Sequence, residues 1–213
     1  MIDGTKALEL KFSACPSRPA CYGNPNWQKL YIAKIKGELD PLSLYFLGKN
    51  RLWLARSPNQ PDPFWFDDIR YYSELDRYDS GQELTSSYLK AGSKLADLQA
   101  ADWDNALVAV WMRPNVVLMR NVQKIDPENG TVFFDPVRNK PYTDRNSYYA
   151  FFNRPSDVDQ AGEYAIDNIR KTLLLWPQEA LHLEQSALRT SDLPVAFDIN
   201  GNGNITIEGF TIT

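Results

Sequence analysis

The stretch Asn105–Asp135, NALVAVWMRPNVVLMRNVQKIDPENGTVFFD, decides the fold. Leu107, Ala109 and Trp111 alternate with Val108, Val110 and Met112, so both faces of this run are apolar. That pattern suits a strand covered on both sides, at the middle of a sheet rather than its edge. Arg113-Pro114-Asn115 breaks the run, and VVLMRNVQKI resumes it. Asp126-Pro127-Glu128-Asn129-Gly130 is turn chemistry, since proline fixes its own φ and Asn-Gly tolerates the positive φ of a reversal. Val132–Phe134 then folds back antiparallel on Val122–Ile125. The expectation is a three-stranded meander against which the other segments pack.

Upstream, Leu8–Phe12 alternates as a short strand, and Ser13–Asn26, with three prolines and both cysteines, is loop. Leu30–Ile35 reads as a strand. Leu42–Leu47 and Arg51–Ala55 flank Gly48-Lys49-Asn50 as a hairpin. Ser57–Pro63 is irregular surface chain. Gln82–Lys90 and Ser93–Ala101 carry good helix formers split by Ala91-Gly92, which predicts one or two short helices. Downstream, Tyr148–Asn153 is a strand, and Glu163–Asp167 with Thr172–Trp176 forms a second hairpin closed by Pro177. Val195–Phe197 and Ile205–Thr213 read as two short strands around a Gly/Asn-rich bend. Many short strands between turn signals imply an all-β protein, an antiparallel sandwich or barrel with minor helix.

With 213 residues the chain can bury one sizeable core. A net charge of −4 offers no basic field for phosphates, so nucleic acid is not an expected partner. No apolar run approaches the roughly 20 residues of a membrane span. Met1-Ile2-Asp3-Gly4 lacks the basic start and apolar core of a signal peptide. Cys15 and Cys21 are near enough to close a small loop, and the sequence leaves a disulfide and two free thiols both open. A structural metal normally takes four ligands, which two cysteines and the lone His182 do not complete, so no metal or other cofactor is expected.

The tail Asn204–Thr213, NITIEGFTIT, can turn Ile205, Ile207, Phe210 and Ile212 inward if it bends at Glu208-Gly209. A strand, a corner and a second strand is how one coil of a parallel β-helix is written, and a coil buries its apolar face only on its neighbours. The expected division is therefore an N-terminal strand and loop over 1–27, a β-sandwich or barrel over 28–194, and a partial coil of a longer parent over 195–213.

Four features taken together resemble the accessory β-domain that interrupts the right-handed parallel β-helix of β-xylosidase-like glycoside hydrolases and related polysaccharide-degrading proteins. The first is the hairpin running from Leu47 into Ala55-Arg56-Ser57-Pro58-Asn59. The second is Asp102-Trp103-Asp104-Asn105-Ala106, similar to the family's Trp-x-Gly-Ala but without its glycine. The third is Gly162-Glu163-Tyr164-Ala165-Ile166-Asp167 followed by Leu174-Leu175-Trp176-Pro177. The closing Asn204–Phe210 is the fourth. The resemblance implies a secreted or periplasmic parent, a glycoside hydrolase or polysaccharide lyase, whose catalytic carboxylates lie on the β-helix. It implies that this chain is a non-catalytic piece, with a polysaccharide or oligosaccharide and the rest of the parent's β-helix as partners.

Trp65, Asp67, Asp68, Tyr71 and Tyr72 form the candidate sugar subsite. Aromatic faces stack on the C–H face of a pyranose, and carboxylates accept its hydroxyls. The same letters also describe a hydrophobic patch with solvated acids. As a glycosidase pair, Asp67 and Asp68 suffer from adjacency, since neighbouring side chains on a strand point to opposite faces. Asp198–Ile205 mimics the start of a calcium loop, but Gly209 stands where the bidentate glutamate belongs. Arg56 reads as a structural cation pairing a carboxylate or carbonyls under its loop.

Overall fold

A computed structural model describes residues 4–65, 68–95, 103–113, 116–138, 140–142, 144–178, 187–193, 195–201 and 203–209. Seventeen strands form three sheets, and among the described residues the only helices are short 3-10 turns. The architecture is all-β and predominantly antiparallel.

The largest sheet is built on β11 (Leu107–Arg113), β12 (Val116–Asp126) and β13 (Thr131–Phe134), the meander expected from the sequence. Val122 faces Phe134 and Ile125 faces Val132, in the expected register. Asp126 caps the turn by accepting from the Asn129 backbone and side-chain amides, and Gly130 supplies a φ of +58°. β14 (Ser147–Phe152) flanks β11 on its other side, so β11 is central. Its two faces feed two cores. Val108, Val110 and Met112 pack with Leu89, Val132 and Phe151, while Leu107 and Ala109 pack with Tyr72, Ala150 and Phe152.

Beyond β13 the sheet continues through β10 (Tyr88–Lys90) and β9 (Glu83–Leu84). This corrects the helix expected over Gln82–Lys90. Thr85 Oγ1 accepts from the amides of Ser87 and Tyr88, turning the chain, and Leu89 is fully buried opposite Val132. Pairing and burial there outweigh a helix propensity of a few tenths of a kcal/mol per residue. Of the second expected helix, Gly92–Leu95 is a 3-10 turn and the remainder lies outside the described residues.

The second sheet runs β2 (Phe12–Ala14), β3 (Tyr31–Lys34), β16 (Thr172–Leu175), β15 (Glu163–Asp167) and β6 (Trp53–Leu54). The third runs β1 (Thr5–Leu8), β17 (Leu188–Ser191), β4 (Tyr45–Leu47) and β5 (Asn50–Arg51). Between these two sheets lie Tyr45, Leu47, Tyr164, Ile166, Leu173, Leu175 and Leu188. Leu174 and Ala165 turn to the opposite face, against the disulfide Cys15–Cys21 and Leu30. The N-terminal strands are thus woven into both sheets. Leu8–Phe12 is not one strand, because β1 and β2 pair with different neighbours.

The chain from Trp53 to Ser57 passes from one sheet to another. β6 pairs parallel with β15, and two residues later β7 (Arg56–Ser57) pairs antiparallel with β14 of the large sheet. Ala55 is the corner, donating to Tyr164 O and accepting from Asn153 N. Such sheet-switching corners are a feature of orthogonal β packing. Over 195–201 and 203–209 no strand forms, contrary to the two expected there. Residues 210–213 of the second expected strand lie outside the described residues, and Val195, Phe197, Ile199, Ile205 and Ile207 stand exposed.

Candidate functional site

Asp68 caps the 3-10 turn Ile69–Tyr71 through the Arg70 amide. The same carboxylate takes both arms of the Arg70 guanidinium, Nε at 2.9 Å and Nη2 at 2.6 Å. Those bonds hold Asp68 below the usual carboxylate range. Trp65 is 59% exposed, and with Asp68, Arg70 and Tyr71 it lines a shallow depression of about 190 Å³. Three of the five candidate residues therefore share one surface. Tyr72 does not: its ring is buried in the core, edge-on to Trp111 at 5.3 Å. Asp67 lies outside the described residues.

The loop that carries Trp65 is the wall of a second, deeper space. Gln60 holds that loop closed by donating to the carbonyls of Asp62 and Trp65. On its inner side, a cavity of about 230 Å³ opens between the Pro41–Leu44 turn, the Arg51–Arg56 segment and β15. Leu52, Leu54, Met119 and Phe152 form its apolar lining. Trp53 and Phe64 meet edge-to-face at 5.8 Å, and the Arg51 guanidinium lies over the Phe64 ring at 4.1 Å. Tyr164 fixes the Pro41–Leu44 turn by donating its hydroxyl to Pro41 O and Ser43 O.

Two buried ionisable side chains line this cavity. Glu163 stands beside Trp53 in the parallel β15–β6 pair. Its carboxyl accepts the amides of Asp159 at 2.7 Å and Gln160 at 2.8 Å, yet burial pushes it up to about 8. Desolvation outweighs the bonds that favour its charged form. Arg56 follows the Ala55 corner and is 4% exposed. Its Nη2 donates to Tyr71 O at 2.8 Å, and its guanidinium packs on the rings of Tyr72 and Phe152. Burial lowers its pKa. The expected pairing with a carbonyl is what Arg56 makes. Asn59 Nδ2 donates to Asp159 Oδ1 at 2.6 Å, tying the Trp65 loop to the loop before Glu163.

Sequence reading did not find this cavity, since its walls come from six separate stretches of chain. The signal available was Gly162-Glu163, an acidic residue opening a fully buried strand.

No family model matches the chain, and no curated protein matches it. A solved structure described as "Glycoside hydrolase" superposes with a TM-score of 0.50 at 14% identity, over 76% of this chain and 29% of that one. The likeness is one of fold. This chain spans less than a third of that structure's length, and a shared fold leaves function to be argued from the site.

Proposed function

We propose that this chain is a non-catalytic accessory β-domain of a longer carbohydrate-active protein, where it shapes or braces a glycan cleft. The observation that carries this reading is the fold it has in common with part of a much longer glycoside hydrolase chain. Two features support it. The apolar side chains of Val195, Ile205 and Ile207 are exposed, surface that a neighbouring β-helix coil of the parent would cover. The carboxylates near the site are also committed elsewhere, Asp68 to Arg70 and Glu163 to backbone amides. That disposition argues against Asp68 as a glycosidase acid.

A second reading, an independent carbohydrate-binding module, is favoured by Trp65, Asp68 and Tyr71 lining one depression. Incubation of the purified chain with xylan, pectin and alginate tests the first reading: no sugar is released, and clear turnover overturns it. Binding by the isolated chain that Trp65→Ala weakens, with the fold intact, selects the second.

A further inference from the structure

Four buried side-chain atoms without a hydrogen-bond partner belong to three residues lining the inner cavity: Trp53 Nε1, Arg56 Nε and Nη1, and Gln60 Oε1. A buried donor or acceptor left without a partner costs the desolvation of that group. Their gathering around one space calls for a partner that enters it.

The charge balance says what kind. Among the described residues no carboxylate lies within ion-pair distance of Arg56. Asp68 acts on Arg56 only through space, and Arg70 already occupies that carboxylate. Burial favours the protonated, uncharged form of Glu163. Among the described residues the cavity therefore keeps a buried guanidinium with no ion-paired carboxylate, and its planar fork matches one.

Size and lining narrow the class further. The cavity far exceeds the ~10–15 Å³ that one water needs and falls short of the ~300 Å³ at which drug-sized pockets begin. It has room for a single ring. The Trp53–Phe64 pair and the aliphatic lining suit a ring's C–H face, while an unpartnered donor and an unpartnered acceptor suit hydroxyls. Leu42, Leu44, Arg51 and Phe64 at its rim are exposed, so the cavity opens to solvent.

We propose that this cavity is a subsite for one carboxylated sugar ring, a hexuronate at the end of a glycan chain, with its carboxylate on Arg56 and its C–H face against Trp53 and Phe64. The proposal rests on the glycan-facing reading above and adds a second site, inside the loop that carries Trp65.

The test is calorimetric titration of the whole chain with hexuronate-terminated oligosaccharides and with neutral counterparts of the same linkage. The uronide binds, and its neutral counterpart binds about tenfold more weakly or worse, the size expected for bonds to a charged group. Arg56→Gln abolishes the preference. Because a buried arginine can be needed for folding, Trp53→Phe is the second variant. It removes the indole N–H while keeping an aromatic ring, and it lowers uronide affinity severalfold while the circular dichroism spectrum shows the fold retained. Equal binding of uronide and neutral sugar overturns the proposal, as does binding indifferent to Trp53→Phe. Binding lost only on Trp65→Ala leaves the outer surface as the glycan site and removes the cavity. If no sugar binds and none is released, the subsite falls and the bracing role stands.

Discussion

The indole of Trp53 lies directly across Gly162, so closely that a Cβ on that glycine would overlap its six-membered ring. The two residues also share a backbone bond, Trp53 N donating to Gly162 O at 3.1 Å. Gly162 has a φ of +104°, a conformation open to glycine and strained for any other residue. This contact seats Trp53 as a wall of the inner cavity.

Gly162→Ala is accordingly expected to cost on the order of 2 kcal/mol or more, combining overpacking with a disallowed φ. For a chain of this size that is a fall of about 4–8 °C in melting temperature. Differential scanning calorimetry measures it, and an unchanged melting temperature would show that Trp53 moves aside freely.

Asn153 pins the large sheet to the second one. Its side chain donates to Asn105 O and Ile166 O and accepts from Ile166 N, while its own φ is +60°. Asn153→Ala leaves those buried backbone groups without partners and strains the turn. A loss of roughly 2–4 kcal/mol is expected in urea unfolding, with the m-value unchanged because the folded core is the same.

Glu163 makes stability depend on pH. Its folded-state pKa of about 8 lies above the ordinary unfolded carboxyl value, so between the two the folded chain binds more protons. The stabilisation it contributes is full below the unfolded pKa and is lost as pH rises through the folded one. Glu163→Gln keeps an oxygen for the Asp159 and Gln160 amides and removes the titration. Wild type is expected to lose stability between about pH 4.5 and 8 relative to this variant. Parallel pH curves for the two proteins would assign the dependence elsewhere.

Trp65→Ala is expected to leave the melting temperature within about 1–2 °C, since an exposed side chain contributes little to folding. Glycan binding by the isolated chain, where present, drops about tenfold or more with loss of the ring face. Affinity electrophoresis in polysaccharide gels reads both proteins side by side.

How much of this was legible in the sequence varied with how local its cause was. The two-sided apolar run of β11 and the Asp126–Gly130 turn are short-range signals, and both were readable. Gln82–Lys90 was misread because Gln, Glu, Leu and Lys favour helices. What makes that segment a strand is Leu89 pairing with Val132, a partner more than forty residues away. Tyr71 ends a 3-10 turn and Tyr72 leaves it in extended conformation, which turns the Tyr72 ring into the core, and no local sequence signal marks that change. The Ile-rich tail has the alternation of a strand, yet residues 203–209 form none. The inner cavity has no local signature at all: Arg56, Gln60 and Glu163 meet there only because the chain changes sheets at Ala55.

The most direct test of the central claim is isothermal titration of the chain with uronate-bearing and neutral polysaccharides, read both for saturation and for any continuing heat. A non-catalytic glycan-contacting domain gives heats that saturate and return to baseline, with the uronate-bearing glycans bound more tightly. Sustained heat that grows with time, accompanied by released sugar, would contradict it.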